Sequence, residues 1–176
     1  MGNYLILNGS PRAPRSNSLQ YIQLLRSHLT GSCTEYALLS TDKQTICRAM
    51  ETCDDVVLVF PLYADCLPTV LLEFLHYLQE HLPQRRPTVH IFINCGFLEP
   101  EQNDIALNIL HLFCKQSGFP FGSTFAVGGG EAFLKTPLTF LLKAKIKKFA
   151  KAIDAHQTVH WKITMPISKP MFIKAA

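Results

Sequence analysis

Residues 9 to 18 read Gly9-Ser10-Pro11-Arg12-Ala13-Pro14-Arg15-Ser16-Asn17-Ser18. The hydroxyls of Ser10, Ser16 and Ser18, the Asn17 amide and the Arg12 guanidinium are the donors that a doubly charged phosphate needs. A helix opening at Ser16 would add its free N–H groups. The same residue types also make an ordinary turn and N-cap, so this loop alone leaves both readings open. A second segment, Pro61-Leu62-Tyr63-Ala64-Asp65-Cys66-Leu67-Pro68, and a third, Asn94-Cys95-Gly96-Phe97-Leu98-Glu99, each follow a short apolar run. Gly96 would let the backbone of the third come close to a ligand.

The elements that must position these loops alternate. Tyr4 to Asn8 is a short apolar run ending in turn residues, as expected of a strand buried on both faces. Ser16 is a candidate N-cap, and Leu19, Ile22, Leu25 and Leu29 follow at helical spacing up to Gly31. Strands are predicted at 33–39, 56–60, 89–93 and 122–127, with helices at 43–52, 68–82, 103–116 and 138–153. Val56-Val57-Leu58-Val59-Phe60 reads as a sheet centre. Five strand–helix units imply an α/β fold with a five-stranded parallel sheet and helices on both faces, in one domain. In such a sheet ligands bind beyond the carboxyl ends of the strands, where all three loops fall.

The G-S-P-R and S-N-S of the first loop resemble the phosphate loop of the NAD(P)H-dependent FMN reductase family of flavodoxin-like proteins. Pro61 to Pro68 resembles that family's P-x-Y-x-x-x-x-P segment along the isoalloxazine ring, and Asn94 to Glu99 falls where the family carries a glycine-containing flavin loop. The resemblance covers the layout from Asn3 to Ile153. It implies a doubly wound flavodoxin-like sheet of order 2-1-3-4-5 over residues 1–155. It also implies FMN held by Ser10, Arg12, Ser16, Asn17 and Ser18 at the phosphate, and by Pro61, Leu62, Tyr63, Ala64, Asn94, Gly96, Phe97 and Glu99 elsewhere. The implied activity is hydride transfer from NADPH or NADH through the flavin to a quinone, a nitro or azo compound, or free flavin. No side chain is needed as a catalytic acid or base, because the flavin carries the chemistry. The alternative is a non-enzymatic FMN-binding relay or sensor. The first loop lacks the T-x-T-G-x-T character of electron-carrier flavodoxins and the chain is basic where those carriers are acidic, which favours a reductase.

Composition narrows the remaining classes. A 48% apolar and 17% charged chain of 176 residues fits one packed domain. The net charge of +4 suits a phosphorylated ligand and falls short of a nucleic-acid signature. Six cysteines with no C-x-x-C pair argue against zinc or an iron–sulfur cluster and read as reduced thiols. Cys66 and Cys95 lie in the second and third loops, where they would tune or protect a cofactor or, chiefly, serve as small buried hydrophobes. The start has no secretory pattern and no apolar run is long enough to span a bilayer, so a cytoplasmic protein is expected.

Several features keep two readings. Tyr63 would contact the flavin ring or only cover the sheet end, and Asp65 would bind a ribityl hydroxyl, face substrate or remain a solvated acid. Gly128-Gly129-Gly130-Glu131 would approach a ligand or only turn the chain. Lys143, Lys145, Lys147, Lys148 and Lys151 load the last helix opposite an apolar side, chiefly as a solvated face, with NADPH, an acidic partner or an anionic membrane as functional readings. His156 and His160 lack a third ligand, and no metal is assigned. The tail 156–176 alternates apolar residues from Val159 to Met165, as an extra strand or an arm on the domain or on a partner; a homodimer is expected.

Overall fold

A computed structural model describes residues 2–13 and 15–175. Pro14 of the first loop lies outside them. The strands are β1 (Asn3–Asn8), β2 (Ser32–Ala37), β3 (Asp55–Pro61), β4 (Thr88–Asn94), β5 (Phe121–Val127) and β6 (His160–Ile163). All pair in parallel, in the order β2-β1-β3-β4-β5-β6. The helices are α1 (Asn17–Arg26), α2 (Lys43–Met50), α3 (Thr69–Glu80), α4 (Asp104–Ser117), α5 (Gly130–Lys135), α6 (Thr139–Asp154) and α7 (Lys169–Ala175), with a 3-10 turn at Pro100–Asn103.

Successive strand residues point to opposite faces, so each strand feeds two cores. Tyr4, Ile6, Val57, Val59, Phe92, Phe125 and Val127 pack under α1, α5 and α6. Leu5, Leu7, Val56, Leu58, Phe60, Ile91 and Ile93 pack under α2, α3 and α4. A strand buried on both faces must be apolar throughout, which is why the central runs show no alternation.

Local chemistry sets the helix ends. The Ser16 hydroxyl accepts from the Leu19 N–H at 3.2 Å and the Asp42 carboxylate accepts from the Thr45 N–H at 3.0 Å. Gly118 ends α4 at φ 74°, a left-handed backbone that a side chain would oppose.

The expected five-stranded sheet is corrected to six strands. His160 to Ile163 lies parallel along the outer edge of β5, with the Thr124 N–H donating to the Val159 carbonyl and the Gly128 N–H to the Ile163 carbonyl, both at 2.8 Å. The reason is the period-two spacing of Val159, Trp161 and Ile163, which turns one side of the tail to the core. There the Trp161 ring meets Phe149 at 6.5 Å. Helix α5 was not expected either; its residues follow three glycines that read as a turn.

Beneath the sheet's carboxyl edge, at the other end of the strands, a buried pair ties three strands together. His90 of β4 meets the Asp55 carboxylate of β3 through Nε2 at 3.1 Å, and its Nδ1 accepts the Ser123 N–H of β5 at 2.9 Å. That acceptor role places the ring proton on Nε2.

Candidate functional site

The chain leaves β1 at the point where the order reverses between β1 and β3. The Gly9 N–H donates to the Val59 carbonyl at 2.9 Å, and a Cβ at Gly9 would stand 3.0 Å from the Phe60 Cβ, so the turn stays flush with β3. The buried Asn8 side chain accepts the Ser10 N–H at 3.1 Å, and Ser10 in turn accepts the Arg12 N–H at its hydroxyl and the Ala13 N–H at its carbonyl. The loop is thus folded on its own polar groups and turns Arg12 and Arg15 outward.

Opposite it, the Leu62 N–H donates to the Asn94 carbonyl at 2.7 Å, holding the second loop to the third. Tyr63 and Cys66 exchange both backbone hydrogen bonds at 3.0 Å around Ala64 and Asp65, whose φ values are 47° and 57°. Two left-handed residues in a two-residue turn make a type I′ hairpin, which glycine and asparagine favour. Alanine there is strained, and Ala64→Gly is expected to stabilise the protein by about 1 kcal/mol, read as a higher unfolding midpoint. An unchanged or lower midpoint would show the turn to be unstrained.

These loops bound a cleft of about 640 Å³, within the size range of small-molecule sites. Ser10, Arg12, Ser16, Asn17, Ser18, Pro61, Leu62, Tyr63, Asn94 and Gly96 all line it. Ala64, Phe97 and Glu99 do not. Ala64 sits at the hairpin tip, Phe97 is half-exposed, and the Glu99 carboxylate turns away to Lys169 at 2.7 Å, which holds it below the usual carboxylate range. The sequence reading did not select Pro11, Arg15, Leu19, Gln20 or Gln23, and it left Cys95 and Glu131 open between a ligand role and a packing or turn role; all of them line the cleft. Arg15 lies inside the loop already singled out, whereas Gln20 and Gln23 on α1 resemble any solvated helix face.

Glu131 comes from the first turn of α5. Hydrogen bonding by Lys135, with smaller contributions from Asn17 and Arg12, holds its carboxyl below the usual carboxylate range. Of the three glycines before it, Gly128 faces the Leu98 carbonyl and Gly130 faces Asn94, so both serve close packing. The Cys95 thiol is buried, its pKa raised by desolvation, and it receives the Asn103 amide at 3.4 Å. It is a packing residue of the cleft floor.

Two atoms at the cleft carry the most information about its ligand. The Ser18 hydroxyl and the Asn94 carboxamide oxygen are buried with no hydrogen-bond partner. A buried polar group left unpaired costs about 1 to 3 kcal/mol, so a ligand group that came to pair with either atom would be stabilised by it. Ser18 lies in the first turn of α1 beside free N–H groups, in a lining that includes Arg12 and Arg15. Asn94 is part of the same lining, with its side chain against Gly130, and the space beside its neighbour Gly96 is open. An anion beside the α1 N–H groups and a hydrogen-bonding planar group beside Asn94 would suit this lining. FMN has that shape and charge, so the residues present fit it.

No protein-family model matches the chain, and no curated protein matches it in sequence. Solved structures do match it in shape. An NAD(P)H:quinone oxidoreductase from Methanothermobacter marburgensis superposes with a TM-score of 0.69 at 9% identity, covering 89% of this chain and 98% of that one. A flavodoxin of Streptococcus pneumonia TIGR4 gives 0.61 at 11% identity, covering 87% and 98%. The fold is flavodoxin-like. An FMN-dependent NADH-azoreductase from Bacillus anthracis, solved in complex with FMN, gives 0.66 at 12% identity and covers 88% and 100%. The flavodoxin-like sheet accounts for the location of the cleft, at the switch point between β1 and β3.

Proposed function

We propose that the cleft holds FMN and that the protein is an FMN-dependent NAD(P)H oxidoreductase for small planar acceptors: quinones, nitro or azo compounds, or free flavin. The observation that carries this reading is the Ser18 hydroxyl, buried and unpartnered in the first turn of α1, in a cleft that Arg12 and Arg15 also line. The reductases and the flavodoxin that share the fold support it.

In this reading the α1 N–H groups, the hydroxyls of Ser10, Ser16 and Ser18, Asn17 and Arg12 hold the phosphate. Leu62, Tyr63, Asn94 and Gly96 orient the ring edge, and Tyr63, 60% exposed, lies at the mouth. Ala64, Phe97 and Glu99 act around this shell by shaping its loops. Bound FMN would accept a hydride from the nicotinamide and pass the electrons on, so the chain's part is to bind, orient and leave one ring face accessible. The same reading takes the protein as a cytoplasmic homodimer, with Tyr63 and Phe97 offering apolar surface at the cleft mouth.

An anaerobic absorbance titration tests it. FMN added to the protein should bind, and its band near ~450 nm should bleach on addition of NADPH or NADH. Binding without bleaching would favour an electron relay, and no binding would remove the flavin reading.

A further inference from the structure

The last 45 residues hold nine lysines and a single acid, Asp154, while the preceding 131 hold eight basic and twelve acidic side chains. A modest net charge thus conceals a strongly basic end on an acidic body. Such asymmetry is what electrostatic docking uses.

Helix α6 concentrates that charge. Lys143, Lys147 and Lys151 recur every fourth residue and form one row about 12 Å long. Lys145 and Lys148 flank it, and all five are exposed. Among the described residues, Lys43, Lys135, Lys162 and Lys169 each have a carboxylate within 4.0 Å, and none of these five does. No acid lies between Glu131 and Asp154 to offset them, and Asp154 is engaged with the Tyr4 hydroxyl at 2.7 Å.

The helix is not uniformly polar on this side. Phe140, 62% exposed, stands one turn before Lys143 on the same face. Helix α7 covers the same side of the sheet and exposes Met171 and Ile173 beside Lys174. Unpaired lysines interleaved with exposed large apolar side chains combine charge attraction with shallow insertion, the two terms of interfacial membrane binding. A purely electrostatic partner would give Phe140 no role.

We propose that the α6 face docks the protein reversibly on an anionic lipid surface, with the row Lys143–Lys147–Lys151 meeting headgroups and Phe140 entering the interface. No described helix is long and apolar enough to cross a membrane, so the contact is peripheral. The docking does not depend on the flavin reading.

The test is sedimentation of the full chain with vesicles of phosphatidylcholine alone and of phosphatidylcholine with phosphatidylserine, at low and at physiological ionic strength. Binding is expected only to the anionic vesicles and should weaken as salt is raised. Each lysine near such a surface is worth about fivefold in affinity, so K143Q/K147Q/K151Q together should lower binding on the order of a hundredfold. The matching triple arginine variant should retain it, which separates charge from any loss of fold. Phe140→Ser should lower the salt-resistant part a further few-fold. Equal binding to both vesicle types, no binding to anionic vesicles at low salt, or an unaffected glutamine variant would each overturn the proposal. So would binding to single-stranded DNA or polyglutamate without binding to vesicles.

Discussion

Arg12→Ala is expected to raise the Kd for FMN about ten- to a hundredfold, because a charge-assisted contact to phosphate contributes on the order of 1.5 to 3 kcal/mol. Arg12 is exposed at the cleft, and its backbone N–H is already used by the Ser10 hydroxyl. The substitution therefore removes the charge while the loop's own hydrogen bond remains. Riboflavin, which lacks the phosphate, should bind the variant as it binds the parent chain. Fluorescence titration with both flavins reads the difference, and equal losses for the two would mean that Arg12 shapes the loop rather than meeting the phosphate.

Phe92→Ala should cost about 3 to 5 kcal/mol of stability, the usual range for a buried aromatic truncated to a methyl group. The ring is fully buried, with Tyr21 at 4.9 Å, Phe125 at 5.0 Å and Phe149 at 6.2 Å between centroids. It therefore joins α1, β5 and α6 across one core. Tyr21 also donates its hydroxyl to the Gly130 carbonyl at 2.7 Å, linking this cluster to the turn that carries Glu131 into the cleft. Denaturant unfolding measures the cost. A loss below about 1 kcal/mol would show that the core repacks around the gap.

The parts of this molecule that were legible in its sequence are those governed by local rules. A run such as Val56 to Phe60 admits few fates other than a central strand, and Ser16 before a periodic apolar pattern marks a helix start. Strands β1, β3 and β4 then deliver their loops to one edge because parallel connections require it. What stayed hidden depends on tertiary partners. The four residues of β6 become a strand because β5 offers an unpaired edge, and the Pro166 and Pro170 that follow them read equally well as an arm. Glu131 reaches the cleft through a six-residue helix after three glycines, a pattern that reads equally as a ligand approach or a plain turn. Ala64, Phe97 and Glu99 were selected with their loops, and only side-chain direction separates them from their neighbours.

The sixth strand also bears on how the protein may safely be shortened. With β6 in place, the outer side of β5 is hydrogen-bonded, and Ser123 fastens the approach by donating to the Gln157 carbonyl and accepting from the Val159 N–H. Ending the chain at residue 155 would strip that side and leave a bare row of backbone donors and acceptors beside Phe125 and Val127. Bare edges of this kind recruit other strands, so such a fragment would tend to join copies of itself side by side. Residues 156–163 thus close the long β5 edge and leave only a four-residue strand at the rim, so a shortened chain meant to stay dispersed should extend through Ile163 at least.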